Sequence, residues 1–144
     1  MPEFITMPLA IVPILALVLF WLTTRFVWNR RLPLGFRNRA CQGRAWRRAF
    51  PDAPKDGIRS FLDAFVESFG FDPSCRLIWS PEDRILGVYE ALYPSPWGVD
   101  AMELEAFALM LEKRYGLRLA ERWNDQLTLG ALFGCIEERL NTGR

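Results

Sequence analysis

Residues 4–24 form an unbroken run of 21 positions without a charge, and everything after them alternates between apolar and polar positions. A helix that is apolar on every side needs a surrounding that is apolar on every side. At 1.5 Å per residue the run reaches about 31 Å, matching a hydrocarbon core of roughly 30 Å, so residues 1–28 are predicted to be a transmembrane anchor. Pro13, in its interior, predicts a kink. A cleaved export signal is disfavoured because Glu3 stands where a basic start belongs and no small-x-small site precedes the arginines.

Farther along, the period becomes helical. Phe36, Ala40, Gly43, Trp46 and Phe50 share a face of a short helix expected to lie in the membrane plane. Pro51-Asp52-Ala53-Pro54-Lys55-Asp56-Gly57 is a linker. Ile58, Phe61, Leu62, Phe65, Val66 and Phe69 then follow the i, i+3, i+4 rhythm up to Gly70, and Cys75 to Trp79 are expected to pack as a loop. Ser80-Pro81-Glu82-Asp83 has the composition of a helix start, continued by Ile85, Leu86, Val88, Tyr89, Leu92 and Tyr93 and closed by Pro94 and Pro96. Asp100 can cap a third helix with Glu103 three residues on, whose buried stripe is Leu104, Phe107, Ala108, Leu111 and Tyr115 and whose stop is Gly116. Thr128 opens the last, which buries Leu129, Leu132, Phe133, Ile136 and Leu140. The fold expected is all-α: one transmembrane helix (residues 1–28), a basic arm and linker (29–56), and a small four-helix bundle (57–144).

Charge adds an orientation. The net charge of +1 conceals an arm (residues 25–51) with eight arginines and no acid, ahead of residues 52–144 with ten basic and sixteen acidic residues. Basic residues beside a span stay on the cytoplasmic side. The expected location is therefore the cell inner membrane, single-pass, with the N-terminus outside and the bundle cytoplasmic. Trp21, Arg25, Trp28, Arg30, Arg31 and Trp46 are the expected contacts with the lipid bilayer. Binding of nucleic acid or lipid through the arginines is the competing use of the arm, and a membrane-adjacent arm without nucleic acid is preferred.

Chemistry is scarce. The chain has no histidine, so neither a Ser/His nor a Cys/His pair can form and no imidazole can hold a metal. Cys41, Cys75 and Cys135 are far apart in sequence, and Cys75 and Cys135 are expected to be buried as small hydrophobes. Acid pairs such as Glu82-Asp83 and Glu137-Glu138 suit helix-end solvation, and Gly130 and Gly134 precede no phosphate-loop lysine. Trp79 and Trp123 are expected to cap the ends of the bundle with their N–H groups at the surface. No enzyme activity, metal or cofactor is expected.

One segment points elsewhere. Gly98-Val99-Asp100-Ala101-Met102-Glu103-Leu104 resembles the prosthetic-group attachment motif of acyl carrier proteins, in which Asp-Ser-Leu opens a helix. Asp100 and Leu104 fit that pattern, as do the helix ending at Gly116 and the turn Leu127-Thr128-Leu129-Gly130 before the last helix. The resemblance implies an acyl-carrier-like bundle that meets its partners through the acidic side of the third helix. Ala101 stands where the serine hydroxyl would be, and a methyl group cannot carry a phosphodiester. The expected function is a non-enzymatic, membrane-tethered adaptor or accessory subunit without phosphopantetheine, serving a membrane complex or a biosynthetic enzyme. Its expected partner-binding residues are Trp97, Asp100, Glu103, Glu105, Leu109, Met110 and Glu112. The alternative is an active acyl or aminoacyl carrier that uses a non-standard serine, Ser95 being nearest, and serves a membrane acyltransferase.

Overall fold

The periodic segments fold as helices in the computed structural model, which describes residues 11–28, 32–95 and 101–143. In chain order they are α1 (Ile11–Trp28), α2 (Gly43–Ala49), α3 (Lys55–Ser68), α4 (Ile85–Leu92), α5 (Met102–Tyr115) and α6 (Leu129–Thr142), with 3-10 turns at Leu34–Phe36, Pro73–Ile78 and Leu119–Glu121. Local signals end several of them as expected. Gly70 (φ 69°) closes α3 in a Schellman turn, with Phe71 N donating to Val66 O at 2.8 Å and Gly70 N to Glu67 O at 3.2 Å. Gly116 (φ 62°) closes α5, and the Thr128 hydroxyl accepts from Ala131 N at 3.1 Å to cap α6.

The core is aromatic. Phe61 and Phe65 of α3, Phe107 of α5 and Phe133 of α6 are fully buried, and Phe61 lies 6.2 Å from Phe107 and 5.4 Å from Phe133 by ring centroids. Two tryptophans complete it. Trp79 stacks on Phe71 at 4.9 Å and meets Phe65 edge-on at 5.3 Å, while Trp46 meets Phe133 edge-on at 5.8 Å and donates its indole N–H to Trp79 O at 2.7 Å. Trp79 is thus a centrepiece and not an end cap. Its own N–H is buried with no acceptor among the described residues.

The arm belongs to this core. The expected in-plane helix from Phe36 to Phe50 is instead a 3-10 turn and the short α2, and its aromatic residues face the bundle: Phe36 lies 4.8 Å from Trp79, Phe50 lies 4.9 Å from Phe133, and Trp46 is 1% exposed. Trp46 is therefore a core residue and not a membrane-interface ring. Gln42 N donates to Leu77 O at 2.6 Å, and Arg39 reaches Asp83 at 2.6 Å, closing the arm onto the loop that precedes α4.

That loop also explains why the helix expected from Ser80 starts late. Arg84 and Thr128 form an isolated antiparallel bridge, with Ile85 N donating to Leu127 O at 3.0 Å and Leu129 N to Asp83 O at 2.9 Å. The bridge holds Arg84 extended, so α4 begins only at Ile85 and residues 80–83 form a turn. The Asp83 carboxylate accepts from Ser80 N at 2.7 Å within it. The run from Cys75 to Trp79 is likewise more ordered than expected, because Asp72 caps its 3-10 turn by accepting from Ser74 N at 2.7 Å. Leu140, expected inside, is 49% exposed at the far end of α6. Cys75 and Cys135 are half-buried and Cys41 is exposed, all three as free thiols.

The transmembrane anchor is overturned. No helix among the described residues is long and apolar enough to cross a membrane, and the single-pass inner-membrane location and the orientation derived from it fall with the anchor. Within the described residues the uncharged part of α1, 11–24, spans about 21 Å at 1.5 Å per residue, short of roughly 30 Å of hydrocarbon. Residues 4–10 of the expected span lie outside the described residues. The kink expected at Pro13 turns on the residues before Ile11, which lie outside the described residues. Side chains from Val12 to Leu22, Trp21 included, are exposed; those of Arg25 and Trp28, and all of Arg30 and Arg31, lie outside the described residues.

Gly130 tests the bridge. A Cβ there would stand 2.7 Å from Pro81 O and 2.9 Å from Pro81 Cβ, so Gly130→Ala should destabilise the fold by about 1–3 kcal/mol in urea unfolding followed by tryptophan fluorescence. Gly87, on α4, meets nothing closer than 3.6 Å, and Gly87→Ala should stabilise by about 0.5–1 kcal/mol. Equal midpoints for the two variants would contradict the joint described.

Candidate functional site

The third helix of the bundle, α5, carries the residues singled out by sequence, and its start is held by two tyrosines of the preceding segment. Ala101 is its N-cap, in the left-handed region at φ 56°, ψ 11°, a conformation that costs an L-residue about 1–2 kcal/mol. Ala101 N donates to the Tyr89 hydroxyl at 3.0 Å, and the Tyr93 hydroxyl donates to a Glu103 carboxylate oxygen. The left-handed turn re-aims the chain into α5, and the tyrosines fasten that turn to α4.

The face of α5 turned inward is the expected one: Phe107 and Leu111 are buried, with Leu104, Ala108 and Tyr115 packed half-buried beside them. On the opposite face Met102, Ala106 and Leu109 follow one another at helical spacing, with Met102 64% and Leu109 67% exposed. Glu105 and Glu112 flank this stripe, both exposed, and Glu112 lies 3.8 Å from Arg118. The helix thus shows an apolar centre with an acidic edge toward water.

Of the residues expected to bind a partner, Glu105, Leu109 and Glu112 share this face. Met110 is half-buried at its margin, and Glu103 is half-buried against Tyr93, which gives it a role in holding the helix start. Trp97 and Asp100 lie outside the described residues. Met102 and Ala106 were missed. Their signal was available, since positions 102, 106 and 109 lie opposite the 104, 107, 111 stripe on a 3.6-residue helix.

Among the described residues, the side chains at the start of α5 that could take part in a reaction are few. Ala101 ends in a methyl group, and Ser95 sits exposed in a bend after α4, not at the opening of α5. Among the described residues no three Cys, Asp or Glu side chains come together so as to hold a metal ion. A groove of about 770 Å³ between α2 and α6 is walled by Ala45, Ala49, Ala131 and Gly134, with the Arg48 and Glu82 side chains as its charged members, too few convergent polar groups for chemistry.

Because the Ala101 backbone is left-handed, Ala101→Gly should raise stability by about 1 kcal/mol and Ala101→Val should lower it by at least as much, read as opposite shifts of the urea midpoint at constant slope. Shifts in the same direction would contradict the geometry.

No protein-family model matches this chain, and no characterised protein or solved structure is detectably similar to it.

Proposed function

We propose that the chain is a non-enzymatic docking module: an acyl-carrier-like helical bundle, without a prosthetic group, that presents the outer face of α5 to a partner protein. The observation that carries this reading is the pair of large apolar side chains, Met102 and Leu109, left exposed on a well-packed helix beside two exposed glutamates. Fully burying a leucine or methionine is worth about 1.5–3 kcal/mol, so two such anchors supply a useful share of a specific affinity. The fitting partner surface is an apolar pocket rimmed by lysine or arginine, which would meet Glu105 and Glu112 at its edge. Complementary charge of this kind accelerates encounter and selects the partner, while the apolar centre holds it. The Asp100–Leu104 resemblance supports the same reading, because a carrier meets its enzymes through the corresponding helix.

Placing a photo-crosslinking residue at Leu109 should capture one discrete protein in the native host, and Glu105→Lys in the same chain should reduce that product at least about tenfold, with the melting temperature unchanged because Glu105 is exposed. A crosslinker at Glu138, on the exposed side of α6, should not give the product. Equal capture from Leu109 and Glu138, or insensitivity to Glu105→Lys, would contradict the proposed face.

A further inference from the structure

A second surface, remote in sequence from α5, is built from the arm and the start of α3. There a cleft of about 170 Å³ is lined by Arg47, Lys55 and Arg59 together with Trp46, Ile58 and Leu77. Three cations and no carboxylate line it. Its apolar part is firm: Trp46 is pinned by its hydrogen bond to Trp79 O, Ile58 is 4% exposed, and Leu77 is fixed through its carbonyl, which accepts from Gln42 N.

The cations are not spent on partners of their own. Arg47 and Lys55 make no ion pair among the described residues. Arg59 lies 3.9 Å from Asp56, but the Asp56 side chain is 97% exposed, so water screens the pair and it holds the guanidinium weakly. Three like charges around one concavity repel each other, and an anion of more than one charge relieves that repulsion.

We infer that this cleft binds a phosphate-bearing amphiphile, with the phosphoryl oxygens on Arg47, Lys55 and Arg59 and a short apolar group on Ile58 and Leu77. Two guanidinium forks and an ammonium match a tetrahedral oxyanion better than a single carboxylate, because each fork can pair two oxygens of the same group. The volume suits one headgroup and a few carbons. The same chemistry is offered by a soluble phosphomonoester and by the headgroup of a phospholipid.

Titration of the full chain with hexyl phosphate and with inorganic phosphate, and co-sedimentation with vesicles of phosphatidylcholine with and without phosphatidic acid, test this at low salt. The expected result is saturable one-site binding that Arg47→Gln and Lys55→Gln each weaken at least about fivefold and that Arg122→Gln leaves unchanged. All three side chains are exposed, so unfolding midpoints should stay constant and a loss of binding reports the cleft. Saturation by hexyl phosphate in solution identifies a soluble ligand; saturation only on phosphatidic acid vesicles identifies a headgroup, and both support the cleft. Absence of saturable binding to every probe, or binding that Arg47→Gln and Lys55→Gln leave intact, or equal weakening by Arg122→Gln, would overturn it.

Discussion

The pairing of two helix starts, residues 80–85 with residues 127–130, is the joint on which the rest of the bundle depends. Its hydrogen bonds satisfy backbone groups at the start of both α4 and α6, and Gly130 N donates to Pro81 O at 2.7 Å where no side chain could fit. From that joint the other elements take their places. Asp83 turns its carboxylate back to Ser80 N and Arg39, which closes the arm, and Trp79, one residue earlier, accepts from Trp46 and fills the space between α3 and the arm. With α4 fixed, Tyr89 and Tyr93 lie where they can hold the first residues of α5. The direction in which α5 shows Met102 and Leu109 to water thus descends from contacts some twenty residues away in sequence.

Features written within one turn of the chain were legible in the sequence. The glycine stops at Gly70 and Gly116, the Thr128 cap and the buried stripes of α3 and α5 follow from local rules, and the structure contains each. What was illegible is long-range. Nothing near Arg84 announces that it must stay extended to meet Thr128, so a good local start at Ser80 was overruled. Aromatics interleaved with arginine read equally well as a lipid-facing helix, and it takes the bond from Trp46 to Trp79 and the ring contacts of Phe36 and Phe50 to show that they serve the core. The predicted anchor rested on a count of uncharged residues, and among the described residues no helix is long and apolar enough to cross a membrane.

The candidate site was legible in part for the same reason. Helical spacing separates an inner from an outer face of α5, which placed Glu105, Leu109 and Glu112 together, but it does not say that a tyrosine will claim Glu103. The left-handed backbone at Ala101 was also hidden, since alanine is a poor marker for that conformation. What the structure adds is a left-handed residue, Ala101, directly ahead of a helix whose outer face leaves Met102 and Leu109 exposed.

The central claim is that this bundle works without a prosthetic group. Intact mass spectrometry of the chain purified from its native host tests it most directly. The account predicts the mass of the polypeptide after ordinary N-terminal processing. A phosphopantetheine-sized addition, with or without an acyl chain, would contradict it and make the protein a working carrier.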